Sequence, residues 1–269
     1  VAPDGQYILT ESVQRPFTYS LPENKFPRLI EIMDRDGDLV YEVANLPLQD
    51  QIPISFGSVA VGRRSVGWRA DAKAELVWVE ALDGGDGGLE AEERDRVFTL
   101  EAPFQDEPLE LMTLAQRYGG VTWGNDDLAF VSSWWWETRN VKGWLVHPGD
   151  RSIKPELVED RSWQDRYNDP GSPVMHPGPY GNNVILTADD GKTIFHSGSG
   201  ASPEGDRPFL DKVDLATGET TRLFRSEAPY YESFVELIDA KNLKLVTRRE
   251  SQTEPPNYYL RDLNNDKLE

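Results

Sequence analysis

Nucleophilic catalysis needs a serine or cysteine beside a base that a third group orients, and this sequence offers little to build one from. Cysteine is absent, and the three histidines are His147, His176 and His196. Two of them, His147 and His176, stand directly before prolines. A G-x-S-x-G elbow is missing, because Gly198-Ser199-Gly200-Ala201-Ser202 lacks the spacing and no helical pattern follows it. The same stretch carries glycines in G-x-G order, but Pro203 stands where a dinucleotide fingerprint needs glycine. We therefore expect no catalytic residue and no cofactor in this chain, with the histidines in turns and on the surface.

Other residues with chemical potential have plainer readings. Asp34-Arg35-Asp36-Gly37-Asp38 has the acid spacing of a calcium loop, but its glycine falls at the fourth position instead of the sixth. Asn45 also stands where the closing Glu belongs, so the segment reads as a hairpin turn with no metal. The charge run Glu90–Asp95 reads as a solvated loop, and Asp83–Glu93, rich in glycine and acid, as exposed and mobile. Trp134-Trp135-Trp136 could form a stacking platform for a sugar. Side chains alternate along a strand, however, so Trp134 and Trp136 share one face and Trp135 takes the other. Packing between neighbouring sheets is the expected role. Tyr167-Asn168-Asp169-Pro170 resembles the N-D-P turn of invertase-like sugar hydrolases on five-bladed propellers. The R-D-P segment and Glu-Cys acid of that family are missing, which keeps a glycoside hydrolase only as an alternative.

Composition narrows the function classes. A net charge of −19 over 269 residues argues against nucleic acid, whose phosphates need clustered Lys and Arg, and against docking on an anionic membrane. No apolar run approaches the roughly 20 residues of a membrane span. The opening VAPDGQYILT shows no signal-peptide pattern and reads as a turn and a strand, from which we expect a fragment of a longer chain. The compartment is left open: soluble, and cytoplasmic or periplasmic if the source is bacterial.

The elements that position these residues are short strands separated by turn chemistry. Asp36-Gly37 between Leu29–Asp34 and Leu39–Asn45 is a strong hairpin signal. A second unit runs through Ser65–Trp68, Leu76–Glu80, Val97–Leu100 and Leu109–Leu114. A third runs through Gly120–Trp123, Leu128–Trp136, Lys142–Val146 and Glu156–Asp160, rich in the β-branched and aromatic residues that a pleated surface selects. Further units open near Ser172 and Ser233. A four-strand unit recurring every roughly 40–60 residues is the signature of propeller blades. The expected fold is all-β: a β-propeller or a large arc of one, with about five four-stranded blades. The first unit should lack its opening strand and the last its closing strand, with residues 1–269 forming one domain.

Along nearly its whole length the sequence also resembles the propeller domain of the glutamyl endopeptidases, in the prolyl oligopeptidase family of serine peptidases. The matching segments include PDGQYILTES, RPFTY, FPRLIEIMDRDG, SVGWRAD, WVEALDGGD, RYGGVTWGNDDLAFV, DPGSPVM, GASPEGDRPFLD, YYESFVELI and ESQTEPPNYY. The resemblance implies a propeller followed by a C-terminal α/β-hydrolase domain bearing the Ser, Asp and His, which this chain does not include. It implies a role in covering the active site, restricting entry to peptides or unfolded segments, and lending side chains to the substrate chamber. The implied cleavage after glutamate calls for an Arg or Lys partner, ideally a bidentate Arg. Arg15 in QRPFTY, Arg63 and Arg64 in GRRSVGW, and Arg139 in ETRN are the substrate-binding candidates. A free-standing ligand-binding propeller remains the other alternative.

Overall fold

The computed structural model describes residues 1–265 and 267–269. The described residues are all-β apart from one 3₁₀ turn, Glu23–Lys25, and the strands form antiparallel up-and-down sheets, as expected of propeller blades. The first sheet is β1 (Tyr7–Val13), β2 (Arg28–Asp34) and β3 (Leu39–Leu46). The second is β4 (Arg64–Trp68), β5 (Glu75–Ala81), β6 (Asp95–Glu101) and β7 (Leu109–Leu114). The third is β8 (Arg117–Asn125), β9 (Leu128–Trp135), β10 (Asn140–Val146) and β11 (Glu156–Ser162).

The fourth sheet is interrupted. β12 (Ser172–Pro173) is followed by a small hairpin of β13 (Met175–Pro177) and β14 (Asn183–Ile185), then by β15 (Thr187–Ala188). β16 (Thr193–Gly198) pairs with β12, β15 and β17 (Phe209–Asp214), and β18 (Thr220–Arg225) closes the sheet. The fifth comprises β19 (Tyr231–Asp239), β20 (Lys244–Glu250), β21 (Asn257–Asp262) and β22 (Lys267–Leu268). The opening sheet lacks a first strand as expected. The closing sheet does have a fourth strand, only two residues long and too short to leave a pattern in sequence.

The chain divides into two compact units, residues 1–162 with 177–184, and residues 163–176 with 185–269. In the first unit the second sheet is covered on both faces. Leu76 and Trp78 pack with Ile30, Ile32 and Val43 of the first sheet, while Val77 and Val79 pack with Trp123, Ala129 and Val131 of the third. Alternation along β5 sends successive side chains to opposite cores, which is why its centre is a continuous apolar run and not an alternating one. Each fully buried Leu, Val or Trp there contributes about 1.5–3 kcal/mol of transfer free energy. The second unit has its own core, in which Phe195, Leu210 and Phe224 meet Leu237 and Leu245.

The turn chemistry is local. Asp34 Oδ1 accepts hydrogen bonds from the backbone N–H groups of Asp36 and Asp38, 2.9 and 3.0 Å, so the acidic segment caps its own hairpin. Among the described residues no helix is long and apolar enough to cross a membrane.

Candidate functional site

In an up-and-down meander, successive turns alternate between the two ends of the strands. Within the first unit this places the segments 14–27, 47–63, 82–94 and 136–139 at one end. All four arginine candidates belong to that end, and the structure gives them different surroundings.

Arg63 is held by its neighbours. Its guanidinium lies 4.6 Å from the centre of the Trp78 ring and donates to Tyr41 Oη (2.7 Å) and the Val43 carbonyl (3.1 Å). Arg64 Nη2 lies 2.6 Å from Asp95 Oδ2 as an ion pair. Arg15 and Arg139 are exposed, with no described side-chain hydrogen bond or ion pair. Arg139 sits in the β9–β10 turn with φ of 54°, a left-handed conformation uncommon for a residue with a side chain.

The densest chemistry at this end involves residues that the sequence does not single out. Arg117, 1% exposed, opens β8 and uses all five of its N–H donors. Nε donates to the Gly57 carbonyl (2.6 Å), and Nη1 to the Arg94 carbonyl (3.1 Å) and Asp95 Oδ1 (2.9 Å). Nη2 reaches both oxygens of Asp83, at 2.9 and 2.7 Å. Arg94 also pairs with Asp83 (2.9 Å) and lies 3.7 Å from the centre of the Trp135 ring. Asp95, fully buried, accepts from the Tyr118 backbone N–H at 2.7 Å. Three arginines thus face two aspartates. Burial pushes the Tyr118 phenol up to about 12, with the nearby Arg64 charge opposing the shift.

This cluster fastens segments 47–63 and 82–94 together at the start of β8. Further bonds join Val59 N–H to the Gly85 carbonyl (2.9 Å) and Gly87 N–H to Ser58 Oγ (3.3 Å). Only part of the 82–94 loop is therefore free. Glu90, Glu92 and Glu93 are exposed as expected, but Asp83, Arg94 and Asp95 are drawn inside, because Arg117 and Arg64 supply counter-charges to the two aspartates and Asp83 supplies one to Arg94. The tryptophans follow the same logic. Trp135 and Trp136 pack on Gly57 of the 47–63 loop, and Phe56 lies 5.9 Å from Trp136, whereas Trp123 of the same sheet is buried in the core shared with the second sheet. Asp169 of the N-D-P turn accepts from the Gly171 N–H (2.9 Å), a self-capping turn. Among the described residues no group of three or more His, Asp or Glu side chains is placed to hold a metal.

The chain is 38% identical, over 96% of its length, to a probable glutamyl endopeptidase of Oryza sativa subsp. japonica. It is homologous to the glutamyl endopeptidases. The corresponding protein of Arabidopsis thaliana is also 38% identical over 96% of the chain. The chain spans only 29% and 28% of the length of these two curated relatives. Both glutamyl endopeptidases are described as chloroplastic, unlike the cytoplasmic or periplasmic placement expected for a bacterial source. No protein-family model matches the chain. Among solved structures, an acylaminoacyl peptidase of Pyrococcus horikoshii covers 98% of this chain and matches over 44% of its own. At 14% identity and a TM-score of 0.37, that likeness is too distant to bear on function. The resemblance to glutamyl endopeptidases read from the sequence is borne out.

Proposed function

We propose that this chain is the non-catalytic, substrate-recognising portion of a glutamyl-endopeptidase-like serine peptidase. It restricts access to the active site and helps bind the peptide, and an α/β-hydrolase domain of the parent protein supplies the Ser, Asp and His. The observation that carries this reading is the 38% identity to probable glutamyl endopeptidases over 96% of the chain.

The geometry narrows which residues would meet a glutamate side chain. Arg63 and Arg64 already spend their charge on Tyr41, Glu80 and Asp95. Arg15 and Arg139 keep theirs, on the same end of the strands. A guanidinium that has no internal partner can form the charge-assisted pair a carboxylate needs, worth about 1.5–3 kcal/mol.

In the parent enzyme, Arg15→Ala and Arg139→Ala should be assayed on matched peptides cleaved after Glu and after Gln. We expect at least one of them to lower kcat/KM on the Glu peptide by about tenfold or more, with little change on the Gln peptide. Unchanged kcat/KM for both would remove these arginines from recognition. The chain alone should show no peptidase activity, and glycosidase activity would favour the sugar-hydrolase alternative.

A further inference from the structure

A second site lies at the opposite end of the same unit, where segments 102–108 and 147–155 connect their strands. A groove of about 530 Å³ runs between the edge strand β7 and the loop that follows β10. One wall is Glu110, Leu111, Met112 and Thr113, and the other is Trp144, Val146, His147, Arg151, Ile153, Lys154 and Pro155. That volume is typical of small-ligand sites, and so is the mixture of an apolar lining with a few polar groups.

The polar groups are unevenly satisfied. Arg151 Nη2 donates to Thr99 Oγ1 at 2.9 Å, and its nearest carboxylate, Glu75 Oε1, is 3.9 Å away. Glu75 is already bonded to Arg69 at 2.7 Å, so it is not a dedicated partner. Nε and Nη1 of Arg151 are buried with no hydrogen-bond partner among the described residues, and so is Nε1 of Trp144. A buried donor left unsatisfied costs about 1–3 kcal/mol, more when it carries charge. Burial lowers the Arg151 pKa from its ordinary value. The Glu75 charge opposes that shift, and the Arg69 charge reinforces it. Lys154 is exposed on the same wall, with no described ion pair. The one acid in the groove, Glu110, is occupied by Arg96 Nε at 3.3 Å and by the Thr113 hydroxyl at 2.8 Å. On a chain of net charge −19, the groove thus carries two cationic side chains, Lys154 with no described ion pair and Arg151 with only the 3.9 Å contact to Glu75 and the more remote charge of Asp126.

We propose that this groove binds a small organic carboxylate, its anionic group at Arg151 and Lys154 and its apolar body along Met112, Trp144 and Ile153. Nε and Nη1 of Arg151 are buried, so an acceptor meets them when the guanidinium turns on its flexible arm into the groove that Arg151 lines. The same chemistry could come from a free aryl or alkyl acid or from an acidic side chain of a peptide. The proposal is independent of the arginines at the other end of the strands.

Calorimetric titration of the 269-residue chain at low salt with phenylacetate, N-acetylglutamate amide and inorganic phosphate tests it. Saturable binding of at least one of the two carboxylates is expected, tighter than phosphate, because phosphate has no apolar body. Phenylacetate binding more tightly than N-acetylglutamate amide identifies a free acid as the source, and the reverse order a peptide side chain. Arg151→Gln should weaken that binding by about tenfold or more, and Lys154→Gln by a smaller factor. Lys154 is exposed and makes no described bond, so its variant keeps the fold and the test intact even where Arg151→Gln destabilises the loop. No saturable carboxylate binding, phosphate bound as tightly as either carboxylate, or binding unchanged in Lys154→Gln and in a folded Arg151→Gln would overturn the assignment.

Discussion

Tyr118 shows how one residue reports the electrostatics of its surroundings. Its phenol ionises near 10 when exposed and is raised to about 12 in the folded chain, chiefly by burial. A folded-state pKa above the unfolded value means that the folded state resists ionisation while the unfolded state accepts it. The associated stability is whole below pH 10 and is lost as pH rises toward about 12. Denaturant titrations across that window should show wild type losing stability faster than Tyr118→Phe. Identical slopes would mean that the phenol is not shielded as its position implies. Arg15 and Arg139 make the complementary point, since exposure is what leaves a guanidinium available to a substrate.

The connecting segments gain definition from the buried ion cluster. Arg117 ties Gly57, Asp83 and Asp95 to the start of β8, so loops 47–63 and 82–94 are fastened through one side chain. Replacing it with Met would strand two buried carboxylates beside only Arg64 and Arg94. Breaking a buried pair in this way typically costs about 3–5 kcal/mol. Arg117→Met should lower the unfolding free energy by an amount of that order in urea. It should also open the 82–94 loop to proteolysis at Glu90–Glu93 under native conditions. A variant as stable and as protease-resistant as wild type would show that the cluster does not hold these loops. The hairpin turns were legible in the sequence because Asp-Gly and Asn-Asp pairs act within a few residues. The burial of Asp83 was not, because its partner Arg117 lies 34 residues away.

At the scale of the whole chain, a net charge of −19 sets up self-repulsion that compaction must overcome. Adding salt screens that repulsion over a Debye length of about 10 Å at 0.1 M. Tm should therefore rise between about 0.01 and 0.2 M NaCl, followed by circular dichroism. A falling Tm would mean that attractive pairs such as Arg117–Asp83 outweigh the repulsion.

The sequence by itself determined the repeating strands, their turns, the missing nucleophile elbow and the relationship to glutamyl endopeptidases. The first three depend on periodicity and spacing, which are properties of neighbouring residues, and the relationship rests on matching segments along the chain. It could also place Arg15, Arg63, Arg64 and Arg139 on loops at blade edges. It could not separate arginines that keep their charge from those that spend it. That distinction rests on partners brought together from distant positions, such as Tyr41, 22 residues from Arg63. The groove at Arg151 has the same origin. Its walls come from two sheets, and only their packing brings Arg151 and Trp144 to the lining of one cavity.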